Sequence, residues 1–483
     1  MTGDGRRTFV TTSSERRRNF VAWVALAATA GFIALGAVYW DDAWHTDRGR
    51  DNFFVPPHVA LYGGVAVLGI LVLWRWSQTR RDATAGDATL AWLGLLGVVS
   101  TFASAPVDEA WHRLFGRDAV IWSPPHLLGI AATFAVAIAG VVAEQRGPAA
   151  LRVAANALVL GAGMVLVMEF EADVPQFSPQ FYLPVACLVI AFVAPLIRTV
   201  DRRPDAFSRA VALYTAARIG IVIALAGLGF STPIVPPLLL VALVLDRLDR
   251  TPRRHLIVFG VVLPVVMHLV YLPWLAVVPH GVDLTTGEAT MSLLVSMLLA
   301  NIAIVWSRVR RTAVLAVGAI LAVALSASSA LAHDPGQGTE DAAIVLTART
   351  QDERAVLDAT ILDADCAEFT VSALVARRAG EERRIALDEL APCRATGSIT
   401  LPRRGRWFLY VEYVRSGRHL EAWISVESPR STVRAVRRLY AGPANRGSAW
   451  EGIAGIALLM AAAVLVIRAR HVVETRAGAA SGT

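Results

Sequence analysis

The stretch FVAWVALAATAGFIALGAVYW (Phe20–Trp40) runs directly into DDAWHTDRGRDNFFVPPH (Asp41–His58) and then into VALYGGVAVLGILVLW (Val59–Trp74). Crossing about 30 Å of hydrocarbon takes roughly 17 to 25 apolar residues, so two such runs around a short charged connector predict a helical membrane hairpin. The connector recurs as DEAWHRLFGRDAVIWSPPH (Asp108–His126), again between apolar runs, Leu90–Val107 and Pro124–Val142. A chain that writes one charged, histidine-bearing sentence twice points to these loops as more than linkers.

Further apolar runs extend the pattern along Val153–Met168, Tyr182–Ile197, Ala210–Phe230, Ser231–Leu245, Leu256–Val278, Met291–Trp306, Thr312–Ala332 and Trp450–Ile467. The expected fold is therefore a polytopic α-helical membrane protein with about 12 transmembrane helices. Ser231–Leu245 is the weakest of these spans, being short and carrying Pro236 and Pro237; a re-entrant segment there changes the side of everything after it. Over the 483 residues, 55% are hydrophobic and 18% charged, a balance that excludes an ordinary soluble domain. Arginine clusters such as Arg16–Arg18, Arg80–Arg81, Arg202–Arg203 and Arg308–Arg311 fall in every second connection. Cytoplasmic loops hold positive charge, so both termini are expected inside, and the repeated connectors and MEFEADVPQF (Met168–Phe177) outside. The same distribution accounts for the pI near 9.8 without nucleic acid as a partner.

The expected organisation is a cytoplasmic tail at 1–19, two repeated metal-binding hairpins at 20–145 and further transmembrane helices at 146–332. An extracytoplasmic β-sandwich follows at 333–445, then a C-terminal transmembrane helix at 446–470 and a tail at 471–483. The β-domain is read from alternating segments such as AAIVLTART, FTVSALVARR and RWFLYVEYV, rich in Val, Thr and aromatic residues. Cys366 and Cys393 lie within it and are expected to form a disulfide on the oxidising side; Cys187 lies in an apolar span. The preceding run ends in Ala-Leu-Ala, a step resembling a signal-peptidase site. Cleavage there makes His333 a new N-terminus able to chelate Cu(II).

Aligned on Ala-Trp-His, each connector supplies a carboxylate, a histidine four residues on, and a second histidine at the start of the return helix: Asp41, His45 and His58, then Asp108, His112 and His126. On a helix, positions i and i+4 share a face, so acid and imidazole can reach a common atom. Prolines before the second histidine suit a helix's first turn. Two imidazoles and a carboxylate suit Cu, Zn, Fe or Ni rather than Mg or Ca. Asp42 and Glu109 are alternative or outer carboxylates. Against this stands the plainer expectation that Asp and His lie wet at the bilayer surface with Trp44 and Trp111 in the headgroup belt. Elsewhere, Glu169, Glu171 and Asp173 form an acidic loop weighed as a metal entry, and His268 beside Met267 as a packed or ligating mid-span histidine.

The patterns Asp-x3-His-x12-His (Asp41, His45, His58) and Asp-x3-His-x13-His (Asp108, His112, His126) resemble the paired metal motifs in the C subunit of the particulate methane and ammonia monooxygenases. That family carries Asp-x3-His-x12-His and then Asn-x3-His-x13-His at helix ends on the periplasmic side. The resemblance covers residues 20–145, roughly a quarter of the chain, and implies copper at both sites. Asp108 stands where the family has Asn, adding a negative charge. The β-domain offers only His333 and His419 in place of the ligand set of the family's B subunit.

The expected function is therefore that of a copper-binding membrane protein of copper handling or delivery, with Zn or Fe as other occupants. The alternative is a copper-dependent, monooxygenase-like oxidoreductase acting on a small apolar substrate. Expected partners are the lipid bilayer and other membrane subunits or a periplasmic copper protein, in a bacterial cell membrane. A metal transporter would need ligands through the membrane's depth, which the spans lack apart from His268 and a few methionines.

Overall fold

The computed structural model describes residues 13–48, 54–79, 85–115, 121–143, 148–172, 179–249, 255–278, 284–308, 339–362, 366–378, 381–391, 393–441 and 449–481. Helices α1 (Ser13–Arg48), α2 (Pro56–Thr79), α3 (Ala85–Phe115), α4 (Pro124–Ala143) and α5 (Ala149–Met164) form two hairpins and a fifth strut. Each neighbour packs on the next and α5 returns to α1, so these helices close into a ring. Both α2 and α4 open on a proline pair, where the missing N–H costs nothing because the first turn's donors have no helical partner. Small residues let the ring draw tight. A Cβ on Gly97 of α3 would stand 2.8 Å from the Ala132 carbonyl and 2.7 Å from Val136 of α4.

Helix α5 continues through a 3-10 turn into Met168–Glu171. The remaining helices are α6 (Tyr182–Val200), α7 (Ala206–Gly227), α8 (Leu238–Leu248), α9 (Leu263–Val277, entered through a π-turn over Val258–Val262), α10 (Thr286–Arg308) and α11 (Ala449–Ser481). They pack around α6, and α11 lies along α4. Their shared core with α1 and α5 includes Tyr182, Ile190, Phe207, Tyr214, Phe259 and Tyr271.

Among the described residues, seven helices are long and apolar enough to cross a membrane, with shorter apolar helices at Pro56–Leu71 and Pro124–Gly140. The expected count of about twelve is not reached by these. The expected span 312–332 and the cleavage point before His333 lie outside the described residues. The expected C-terminal tail is helical as far as Ser481, continuous with α11.

The expected helix over Ser231–Leu245 is corrected. Residues 230–237 are neither helix nor strand, and only the 11-residue α8 follows, about 16 Å of helix. Pro233, Pro236 and Pro237 forbid a helical first half, and they also remove N–H groups that apolar surroundings would leave unmet. What remains is satisfied by side chains and backbone. Ile234 N–H donates to the Glu171 carbonyl at 3.0 Å, and the Ile234 carbonyl accepts from Arg218 Nη2 at 2.8 Å. The far end of α8 is tied to α6, where Arg198 reaches Asp246 at 2.8 Å and pairs with Asp249.

Between α10 and α11 comes the β-domain: β1 (Thr339–Gln351), β2 (Arg354–Ile361), β3 (Thr370–Arg378), β4 (Glu381–Ile385), β5 (Asp388–Ala391), β6 (Arg394–Thr400), β7 (Gly405–Arg415), β8 (Arg418–Ser428) and β9 (Arg430–Ala441). The expected two-sheet sandwich is instead one antiparallel nine-stranded sheet, ordered β4-β3-β7-β8-β9-β1-β2-β6-β5. It bends on itself so that β3 and β4 meet β6. Inside the bend lie Leu346, Leu357, Leu374, Ile399, Trp407 and Ile424. Its second face carries a separate apolar cluster, Ala373, Val375, Phe408, Tyr410, Trp423 and Tyr440. Cys187 is a buried free thiol. Cys393 takes part in a disulfide, while the side chain of its expected partner, Cys366, lies outside the described residues.

Candidate metal centre

The last turns of α1 carry Asp41, Asp42 and His45; the first turn of α2 carries His58. Asp41 Oδ1 and His58 Nε2 are 3.1 Å apart, with both side chains about one-fifth exposed. One ligand atom from each of Asp41, His45 and His58 lies within 4.8 Å of the others. The His58 ring packs against Tyr62 with centroids 5.8 Å apart. In the second hairpin, Asp108 Oδ2 and His126 Nε2 are 3.4 Å apart. The backbone of His112 belongs to α3, but its side chain lies outside the described residues. The acid-to-second-histidine contact is thus repeated in both hairpins, and the full triad is seen in the first.

The chemistry of these donors can be compared with a metal's demands. Two ligand atoms each about 2.0–2.1 Å from a tetrahedral ion lie about 3.3 Å apart. The contacts of 3.1 and 3.4 Å match that chord as well as they match a hydrogen bond. Asp41, His45 and His58 would hold the first ion, and Asp108 and His126 contribute to the second set.

Both sets open on one cavity of about 270 Å³ inside the helix ring, lined at its polar end by Asp41, Asp42, His45, His58, Asp108 and His126. The two motifs thus share one chamber, with Asp41, His45 and His58 of the first hairpin and Asp108 and His126 of the second lining the same polar end. Away from that end the wall turns apolar, with Leu35, Leu61, Val65, Val98, Ile130 and Leu158.

Both tryptophans of the repeat pack against other parts of the helical body. Trp44 stacks on Phe230 at 5.7 Å, with the Arg48 guanidinium 5.0 Å from each ring. Trp111 is buried, against Gly455 of α11. Asp47 extends the anchorage by accepting from both the backbone N–H and the hydroxyl of Ser231 at 2.5 Å.

The acidic loop separates into different roles. Glu169 lines the cavity, and its Oε1 accepts from the Ile121 N–H at 2.8 Å. Glu171 turns the other way and meets Arg218 at 2.8 Å, with neither side chain exposed. Asp173 lies outside the described residues. Around the ion pair, Arg218 Nη1 donates to the hydroxyls of Tyr39 at 2.8 Å and Tyr214 at 2.9 Å, and Tyr182 donates to Glu171 at 3.3 Å. A lone arginine inside the apolar run Ala210–Phe230 is the sequence signal that could have found this network. His268 is a packed residue. Its Nδ1 contacts the Pro264 carbonyl at 2.7 Å and its Nε2 the Ser292 hydroxyl at 3.1 Å, so both ring nitrogens are used.

No family model matches the chain, and no curated protein is similar to it.

Proposed function

We propose that this chain is a membrane metalloprotein that binds a divalent transition metal through Asp41, His45 and His58, with Asp108 and His126 in a second set. The observation that carries this reading is the convergence of the first triad, whose ligand atoms lie within 4.8 Å of one another. Copper is the proposed metal on the strength of the motif's resemblance to the monooxygenase C subunits, and copper handling or delivery the proposed role. The β-domain is then extracytoplasmic, with a Cys366–Cys393 bridge suited to that side, and a periplasmic copper protein or further membrane subunits are the partners.

A second reading is favoured by the cavity. Its walls beyond the ligands are apolar, which suits a small apolar substrate of a copper-dependent oxidoreductase. Metal analysis of the purified protein, with His45→Ala and His58→Ala, tests the site: the proposal expects loss of about one equivalent in each variant. Full metal content in the double variant would overturn it. Dioxygen uptake that rises on adding a small hydrocarbon or ammonia selects the oxidoreductase over delivery.

A further inference from the structure

We infer that the β-domain is the cover of the cavity, with Phe408 as its seal and Trp423 as the residue that positions the metal-bearing end of α1. This rests on the metal reading above but is argued from different contacts. Phe408 is 1% exposed, belongs to the second apolar face of the sheet, and is the β-domain residue in the wall of the cavity. On the same face the Trp423 indole N–H donates to the Thr46 carbonyl at 3.3 Å, one residue beyond His45. A further anchor holds the rim, where Arg406 Nη1 donates to the Ala172 carbonyl at 3.0 Å. Ala172 follows Glu171 at the end of the α5 extension, so the β-domain is tied at two points, on α1 and on the extension of the neighbouring α5.

The physical consequence is control of access and of ligand geometry. The Thr46 carbonyl lies in the last turns of α1, where carbonyls lack helical N–H partners. An indole donor there fixes the turn that carries His45, and the aromatic seal keeps water and soluble chelators from the cavity head. Neither Trp423 nor Phe408 offers a metal ligand, so each acts through position and exclusion alone.

Two measurements on the full-length protein in detergent test this. The first loads Zn(II), removes the excess and follows extraction by a coloured chelator. Phe408→Ala and Trp423→Phe should release metal faster by roughly tenfold, the scale on which outer partners of a metal site act, at unchanged stoichiometry. The second needs no metal. With Leu61→Cys placed in the cavity wall, modification by a water-soluble thiol reagent should be slow behind Phe408 and fast in the Phe408→Ala background. Native Cys187 is buried and gives little background. If Phe408→Ala proves unstable, Phe408→Leu serves, with a smaller increase expected. Equal thiol modification rates with and without Phe408 overturn the cover, whether or not metal binds. A protein that binds no Zn(II) or copper, yet shows the Phe408-dependent protection of Leu61→Cys, sinks the metal reading and leaves the cover standing.

Discussion

Arg218 and Glu171 meet at 2.8 Å in surroundings where neither side chain is exposed. Two charges in apolar surroundings stabilise only while both are present, and removing one strands the other. Arg218→Met should therefore cost about 3–5 kcal/mol, read as a lower midpoint of thermal unfolding in detergent. Adding Glu171→Gln to Arg218→Met should recover much of the loss, since the stranded charge is gone. A double variant no better than Arg218→Met would show that the pair is not the coupled unit described.

Close approach makes a second prediction. Because the Cβ of Gly97→Ala would face the Ala132 backbone carbonyl at 2.8 Å, relief requires α3 to move off α4. The expected cost is about 1–3 kcal/mol. Gly140→Ala is the matched control: nothing lies within 4 Å of where its Cβ would stand, so the change should raise stability by about 0.4–1 kcal/mol.

Acid should act through Asp201, in the connection between α6 and α7. Burial pushes its carboxyl up, but the Arg203 guanidinium and backbone N–H that bond to it outweigh this and leave it below the ordinary carboxylate range. A depressed folded value means the stabilisation is present above the unfolded carboxylate's pKa, about 3.9, and is lost as pH falls through the lower folded value. Asp201→Asn should flatten the acid limb of a stability-against-pH curve below about pH 4 and lower the plateau above it.

The two hairpins should load separately. His126→Ala is expected to retain the ion held by Asp41, His45 and His58 while losing any equivalent at Asp108, and His58→Ala the reverse. Titration calorimetry with Zn(II) reads both. Loss of all binding in His126→Ala would mean that one ion is shared across the cavity.

What the sequence made legible was local. Acid and imidazole four apart, and a proline pair before the second histidine, placed Asp41 against His58 and Asp108 against His126 because helix geometry and first-turn proline preferences act over a few residues. The segment at 231–245 counted as a span on hydropathy alone, while its short length and Pro236 and Pro237 already marked it as the weakest, and together with Pro233 they keep its first half out of a helix. Glu171 was visible as a costly carboxylate, but its partner is 47 positions away on another helix, a distance over which spacing says nothing. The docking of the β-domain had a trace in β7. There Trp407, Leu409 and Val411 face the inner core while the alternate Phe408 and Tyr410 are also buried. A strand apolar on both faces needs cover on both.

The Thr46–Trp423 contact joins positions 377 residues apart. At synthesis rates of about 5–20 residues per second, the ribosome needs on the order of 20 to 75 seconds to pass from one to the other. A newborn chain thus holds its first hairpins in the bilayer, roofless, for that interval, and whatever fills the chamber during biogenesis can enter before the gate has been made.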